Sequence, residues 1–171
     1  IINSNNDYEF NDEATVKSPA LWSTENPNLY KAITEVYVDG KLSDDIETKF
    51  GIRKISFNAI NGFALNGNSM KLKGGCFHID NGLLGARAFD RAEILRVALM
   101  KASGFNAIRC SHNPPAQAFL DACDSLGMLV IDEAFDCWNE GKNDNDYHIY
   151  FKDWWQRDLK SMLLRDRNHP S

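Results

Sequence analysis

The sequence lacks the long apolar runs and basic runs that mark membrane spans and nucleic-acid surfaces. Its formal net charge is -5, and no run of five basic residues occurs. No uninterrupted apolar stretch approaches the roughly 20 residues of a membrane-spanning helix. The first residues, IINSNNDYEF, carry no basic or apolar region of a signal peptide. We therefore expect no nucleic-acid partner and no membrane partner, and either a cytoplasmic chain or a true N-terminus that lies elsewhere.

Closely spaced cysteine pairs are also missing. The four cysteines are far apart and form no C-x-x-C pair, which excludes a zinc ribbon and a thioredoxin-type motif; they are Cys76, Cys110, Cys123 and Cys137. Cysteine commonly behaves as a small buried hydrophobe, so we expect free and mostly buried thiols.

The first third of the chain has the pattern of β-hairpins. YKAITEVYVDGKL alternates in polarity and reaches Asp39-Gly40, and a second turn dipeptide, Asn66-Gly67, separates GFAL from SMKLKGG. Both dipeptides supply the positive φ angles of a tight hairpin turn. A further strand-like run is IETKFGIRKISF. Hairpins are therefore predicted up to about residue 70.

After residue 70 the pattern alternates between strands and helices. MKLKGGCFH, NAIRC and MLVID predict three strands, each followed by a helical pattern. Asp90 and Glu93 have the spacing of a capping box for the first helix, and Gly104 and Gly127 end the first and second helices. Three successive βα units predict parallel strands with right-handed crossovers.

Two parallel architectures compete, an open doubly wound sheet and a closed eight-stranded barrel. GGCFHIDNGLLG lacks the G-x-G-x-x-G spacing of a dinucleotide-binding loop, which disfavours the first. In both, ligands bind at the carboxyl ends of the strands, where the loops converge. Polar residues follow all three predicted strands at this end: His78, Arg109, His112, Asp132, Glu133 and Asp136.

Each of these residues also has a structural interpretation. His78 could be hydrogen-bonded into a loop, and Arg109 could be a structural ion-pair partner as well as a fork that holds a carboxylate. Adjacent strand residues point to opposite sides, so at most one of Asp132 and Glu133 can face a shared substrate.

The tryptophans divide into two classes. Trp154 and Trp155 have helical spacing with other apolar residues, which predicts core packing. Trp138 lies in a polar loop just after the third strand, where an indole could stack on a sugar ring.

The longest motif of the chain is NAIRCSHNPPAQAFLDACDSLGMLVIDEA, and the others are ALWSTENPNLY, FGIRKISF, FALNG, LKGGCFHIDNGLLGA and RDRNHPS. In sequence and in order these motifs resemble glycoside hydrolase family 2, the β-galactosidase, β-glucuronidase and β-mannosidase group. HIDNGLLGA and SHNPP look most like bacterial β-galactosidases, which would place the protein in the bacterial cytoplasm or periplasm. The resemblance implies a multidomain β then α/β chain: the C-terminal part of an immunoglobulin-like β-sandwich over residues 1–60, then the first three βα units of an incomplete TIM barrel over residues 61–171.

The resemblance also implies roles for the polar residues. His78 and His112 would contact sugar hydroxyls, and Arg109 would orient the nucleophilic carboxylate. Asp132 and Glu133 would be further residues of the binding rim. The family's acid/base Glu and nucleophilic Glu would lie beyond RNHPS. We therefore expect no catalytic residue here and an inactive fragment, since retaining glycosidases need both carboxylates.

The stretch FDCWNEG lacks the Glu-x-His with which some family members hold magnesium. We therefore expect no required cofactor and no metal ligand in this chain, although magnesium occurs in the parent family. The usual SHYP is replaced by Ser111-His112-Asn113-Pro114, which keeps the histidine and removes an aromatic residue.

Two rival functions and one assembly property remain. Cys76-x-His78, with Cys110, His112 and Cys137 nearby, could indicate a metal-dependent barrel hydrolase. The chain could also be a noncatalytic sugar-binding or interaction module. An incomplete barrel would leave a sheet edge open, so we expect self-association through that edge. The other expected partner is a β-galactoside or a related carbohydrate.

Overall fold

The computed structural model describes residues 8–171. Residues 1–7 lie outside the described residues. They belong to the predicted sandwich segment and to the stretch IINSNNDYEF, which lacks the pattern of a signal peptide. The strands are β1 (Tyr30–Val38), β2 (Lys41–Phe50), β3 (Ile55–Asn58), β4 (Gly62–Leu65), β5 (Asn68–Ser69), β6 (Gly74–Phe77), β7 (Ala107–Cys110) and β8 (Leu129–Ile131). The α-helices are α1 (Asp90–Ala102), α2 (Gln117–Leu126) and α3 (His148–Asp166).

Two antiparallel hairpins lie where the turn dipeptides predict them. β1 pairs with β2 across Asp39 and Gly40, and β4 pairs with β5 across Asn66 and Gly67. All four turn residues have positive φ angles, between 50° and 83°. This is the geometry that matches the twist of hairpin strands, so the turn prediction is confirmed.

Trp22 joins the small β3–β5 sheet to the rest of the chain. Its side chain is fully buried in a cluster with Leu65, Ala107 and Leu129. Its indole Nε1 donates to the Asp124 carbonyl oxygen at 2.8 Å, so the polar atom of this large ring is satisfied. Since Ala107 and Leu129 begin β7 and β8, this cluster covers the amino ends of those strands and leaves their carboxyl ends free for a site.

The second half of the chain is a three-stranded parallel sheet in the order β6-β7-β8. Helices α1 and α2 pack on it around an apolar core formed by Val97, Ile108, Cys110, Phe119, Leu120, Ala122, Cys123 and Met128. The predicted β then α/β order and the three successive parallel strands are therefore confirmed.

Two local predictions are wrong. The N-cap of α1 is Phe89 and makes no side-chain cap bond, so Asp90 and Glu93 form no capping box. Trp154 and Trp155 are 41% and 37% exposed rather than buried in a core. Helical spacing correctly placed both tryptophans on one helix, α3. It does not reveal whether another part of the described chain packs against that helix and buries them.

The thiol prediction holds for three of the four cysteines. Cys110, Cys123 and Cys137 are buried and Cys76 is exposed, and all four are free. Among residues 8–171, no helix is both long and apolar enough to cross a membrane.

Candidate functional site

The parallel register brings polar side chains from three strands to one edge of the sheet. Cys76 of β6 is paired in register with Arg109 of β7, and Arg109 with Ile131 of β8. Glu133 follows β8 by two residues, so its side chain extends over the carboxyl ends of the strands. The edge where parallel α/β sheets bind ligands therefore carries a thiol, a guanidinium and a carboxylate.

Arg109 lies at the centre of a hydrogen-bond network. Its Nε donates to Glu133 Oε1, and its Nη1 donates to Cys76 Sγ at 3.4 Å. The contacts with Cys76 and then with Glu133 raise the pKa of Arg109, so the guanidinium stays charged. In return, the nearby polar groups of Ser111 and then Arg109 lower the pKa of the Cys76 thiol.

His112 shares the same carboxylate. Its Nδ1 is 2.9 Å from Glu133 Oε2, and Arg109 Nη2 is 3.5 Å from that nitrogen. Glu133, whose side chain is 19% exposed, therefore uses one oxygen for each of two donors. A carboxylate shared in this way fixes both neighbours, because moving either one leaves an oxygen without a partner.

His78 reaches the rim by contact with His112. The two imidazole rings meet edge to face, with centroids 5.4 Å apart and an interplanar angle of 82°. The loop after β6 therefore delivers its histidine to the same place as the loop after β7.

The loop between β8 and α3 adds charged residues on the other side of His112. Asp136 Oδ1 is 2.6 Å from Lys142 Nζ and 3.8 Å from His112 Nε2. The Lys142 contact lowers the pKa of Asp136. Asp146 accepts hydrogen bonds from the backbone N–H groups of Lys142 and Asn143, at 2.6 and 2.8 Å, which fixes the fold of this loop.

These residues surround a cavity of about 880 Å³. This volume is within the range of small-molecule sites. Its polar side is formed by Arg109, His112, Glu133, Asp136, Asn139, Lys142 and Lys152, and its apolar side includes Phe135, Trp138, Phe151, Trp155 and Leu159. The Trp138 indole is 67% exposed and lies parallel to Phe151, with centroids 6.1 Å apart and planes at 7°. The cavity thus combines one open aromatic face with convergent hydrogen-bonding groups.

The structure brings together most of the residues selected from sequence. Arg109, His112, Glu133 and Trp138 line the cavity, and His78 contacts the ring of His112 without lining the cavity itself. Lys142 was missed, and Cys76 was considered only as a possible metal ligand rather than as a partner of Arg109. Strand register could have indicated Cys76, but Lys142 reaches the rim through a loop whose path no periodicity predicts.

Asp132 is the exception, and its expected place on the rim is not where the structure puts it. Its carboxyl group lies beside Asp166 of α3 rather than in the cavity, and its Oδ1 is buried with no hydrogen-bond partner among residues 8–171. Burial, and then the neighbouring Asp166 carboxyl group, raise its pKa to about 7. The alternation of side chains explains why Asp132 and Glu133 separate.

The two carboxylates that line the cavity have basic partners. Each Glu133 oxygen faces a donor, and Asp136 is paired with Lys142. Burial raises the pKa of the Cys110 thiol to about 12. Three possible metal ligands, Asp121, Asp124 and His169, lie close together away from the rim.

That separate cluster is explained by internal contacts. His169 Nδ1 is 2.6 Å from Asp124 Oδ2, and Asp124 Oδ1 accepts the Ser171 backbone N–H at 2.9 Å. Asp124 is buried, so these bonds satisfy a carboxylate that would otherwise be costly. The contact with Asp124 raises the pKa of His169.

Comparison with known proteins agrees with this architecture. Residues 1–53 match the family model for glycosyl hydrolases family 2, and residues 59–171 match the TIM barrel domain of the same family. The β-galactosidase BoGH2A of Bacteroides ovatus is 47% identical over 95% of this chain, which spans 19% of that relative.

Solved structures give the same result. A glycosyl hydrolase family 2 member from Bacteroides cellulosilyticus superposes with a TM-score of 0.85 at 60% identity, over 90% of this chain and 20% of that one. A β-glucuronidase from Bacteroides uniformis superposes with a TM-score of 0.84 at 35% identity, over 95% of this chain and 19% of that one. The chain therefore spans about a fifth of the length of these relatives, and it belongs to glycosyl hydrolases family 2.

Proposed function

We propose that this chain is part of a retaining exo-β-glycosidase that hydrolyses terminal β-D-galactosides, and that its rim forms part of the sugar pocket. The observation that carries the proposal is the Arg109–Glu133–His112 network beside an 880 Å³ cavity with an exposed indole. A pyranose presents an apolar face and a ring of hydroxyls, which need an aromatic surface and fixed polar groups respectively. The 47% identity to a β-galactosidase supports the galactoside.

In this proposal each rim residue has a separate task. Trp138 stacks on the sugar ring, and His112 and the neighbouring His78 exchange hydrogen bonds with sugar hydroxyls. Arg109 uses Nε for Glu133 and Nη1 for Cys76, so its other N–H groups remain available to orient a nucleophilic carboxylate. Glu133 acts indirectly, because its oxygens hold the guanidinium and the imidazole in position.

We further propose that the 171-residue polypeptide alone is inactive. A retaining glycosidase needs two carboxyl groups about 5 Å apart, one as acid/base and one as nucleophile. In the described residues, the carboxylates that line the cavity are Glu133 and Asp136, and each is engaged by a positively charged partner. Neither is free to attack or to protonate a sugar.

The assay is release of nitrophenol from an aryl β-galactoside by the purified polypeptide. We expect no turnover above that of a mock preparation from cells without the gene. A variant with Glu133→Gln and Asp136→Asn is the matched control, because any turnover that these changes abolish would arise in the chain itself. Such turnover would contradict the proposed inactivity.

Sugar binding tests the proposed function separately from catalysis. We expect calorimetry to detect weak binding of methyl β-galactoside, and Trp138→Ala to reduce the affinity about tenfold, since an aromatic contact is worth roughly 1 kcal/mol or more. Trp154→Ala is the control, because this equally large indole does not line the cavity. Equal losses in both variants, or no binding by the unaltered chain, would contradict a sugar site at Trp138.

β-Glucuronidase and β-mannosidase activities are the alternatives within the family. The similarity to the Bacteroides uniformis β-glucuronidase structure is the observation that favours the first of them. Lys152 also lines the cavity and forms no ion pair within residues 8–171, so the cavity offers a cation to a glucuronate carboxylate as well. The preference for galactoside is supported instead by the 47% identity to a β-galactosidase. We therefore expect galactoside to bind more tightly than glucuronide or mannoside in the same experiment. Binding without turnover by the whole parent protein would instead indicate a noncatalytic sugar-binding module.

A further inference from the structure

An ion pair on α1 stands behind the loop that carries His78. Glu93 is 4% exposed, and Arg96 Nη1 is 3.3 Å from Glu93 Oε1 with its own side chain 18% exposed. Burying such a pair costs desolvation energy, and apolar side chains of similar volume often serve stability as well or better. A contribution to stability is therefore a weak explanation for this ion pair. Its other contacts indicate a second role, which is to hold the loop after β6.

Arg96 holds the start of the loop after β6. Its Nη2 donates to the His78 carbonyl oxygen at 2.5 Å, and its guanidinium lies 3.8 Å from the centre of the Phe77 ring. The planar guanidinium thus contacts a residue before the histidine and the backbone of the histidine itself. This fixes the point from which the His78 side chain leaves the backbone.

Glu93 holds the middle of the same loop. Its Oε1 accepts a hydrogen bond from Asn81 Nδ2 at 2.9 Å, and Asn81 in turn closes the loop by bonding to the carbonyl oxygens of Gly85 and Arg87. Apart from Asn81, residues 78–89 are exposed, so the loop has little buried apolar surface of its own to fix it. The ion pair therefore supplies two anchors for an otherwise exposed segment.

We propose that Glu93 and Arg96 are positioning residues that hold His78 against His112 at the rim of the cavity. The pair acts through the loop backbone and through Asn81, and it touches neither the cavity nor a sugar in it. The sugar-facing consequence, a correctly placed His78 for a hydroxyl contact, rests on the proposed function. The geometric consequence, the edge-to-face contact of the two imidazoles, does not.

The test is the cross-relaxation peak between the His78 and His112 ring protons in the NMR spectrum of the full chain. In the double variant Glu93→Gln with Arg96→Met, an amide still accepts from Asn81 and an apolar side chain still covers Phe77, while the donor to the His78 carbonyl is lost. We expect the cross-peak to disappear, with chemical-shift changes confined to residues 77–89 and to the turns of α1 around the two substituted positions. Arg91→Met is the control on the same helix, because Arg91 is exposed and makes no side-chain hydrogen bond among residues 8–171.

A persistent cross-peak in the double variant would overturn the proposal. Should that variant fail to fold, Arg96→Lys tests the same contact, because an ammonium can pair with Glu93 but cannot form the same planar fork to the carbonyl. We expect the cross-peak of this variant to weaken at least threefold, and an unchanged intensity would also overturn the proposal. If the cross-peak responds as expected but the unaltered chain binds no sugar, the proposed function fails and the positioning role stands.

Discussion

At the residue scale, the site depends on which of two adjacent carboxylates faces the rim. Strand alternation predicted that Asp132 and Glu133 would separate, and they do. It could not say which one faces the cavity, because β8 ends at Ile131 and the next residues follow a loop. The structure places Glu133 between Arg109 and His112 and Asp132 beside Asp166.

The raised pKa of Asp132 predicts a pH-dependent stability. Its pKa of about 7 in the folded chain lies above the ordinary 3.8, so the folded state favours the protonated carboxyl. The resulting stabilisation is fully present below the unfolded pKa and is lost as the pH rises through about 7. We expect Asp132→Asn to remove this loss, so that the variant gains stability relative to the unaltered chain between pH 5 and pH 8.

Urea unfolding at both pH values measures the effect as a difference between the two proteins. The difference is needed because His169, whose pKa is also raised, contributes a slope of the same sign to both. Asp136→Asn is the control, since the pKa of Asp136 is lowered and its contribution is lost only at acid pH. An Asp132→Asn variant with the same pH dependence as the unaltered chain would contradict the assignment.

At the scale of elements, turns and helix ends differ in how well sequence predicted them. The hairpin turns and the glycine ends of α1 and α2 depend on backbone conformation at one or two residues, which the residue type largely determines. The capping box failed because Glu93 is drawn into the interior by Arg96 and Asn81, contacts that are distant from the helix terminus it was expected to cap.

The glycine at the end of α2 allows the cost of a steric collision to be separated from the cost of a left-handed backbone conformation. Gly127 has a φ of +72°, and an added Cβ would collide with the Thr24 backbone, whereas Gly104 has a φ of +85° with open space around it. We expect Gly104→Ala to cost roughly 1–2 kcal/mol, the strain of a left-handed alanine. Gly127→Ala should cost at least about 2 kcal/mol more, because the collision also disturbs the Lys101 bonds to Thr24 and Gly127.

Chemical unfolding of the two alanine variants compares these costs directly. The comparison is matched, because both glycines end a helix and both must adopt a positive φ angle. Equal destabilisation would show that Thr24 moves aside without cost, and that the Trp22 segment is not held closely against the end of α2.

At the scale of the whole molecule, sequence predicted the order of elements but not which faces are covered. Leu95 and Leu99 of α1 are four residues apart and so share a helical face, yet both are more than half exposed. The buried residues of the helix are Glu93 and Val97. A helical pattern shows which residues share a face, while the layer that covers that face is a tertiary property.

These exposed faces predict self-association of the 171-residue chain. Within the described residues, β6 and β8 are the outer strands of the parallel sheet, and α1 presents exposed Leu95 and Leu99 one helical turn apart. Unpaired strand edges and adjoining apolar surface favour association of copies. We expect sedimentation to show oligomers whose fraction rises with protein concentration.

The helix α1 surface can be tested apart from the strand edges. A variant with Leu95→Glu and Leu99→Glu adds charge to the apolar stripe, and we expect it to lower the oligomer fraction at a given concentration. The control with Gln156→Glu and Lys160→Gln on the exposed side of α3 changes the net charge by the same two units without touching that stripe. If the leucine variant remains as associated as the control, α1 is not the contact and the strand edges alone must pair. A monomer at every concentration in the unaltered chain would contradict both routes, because neither the edges nor the apolar stripe would then be available to a second copy.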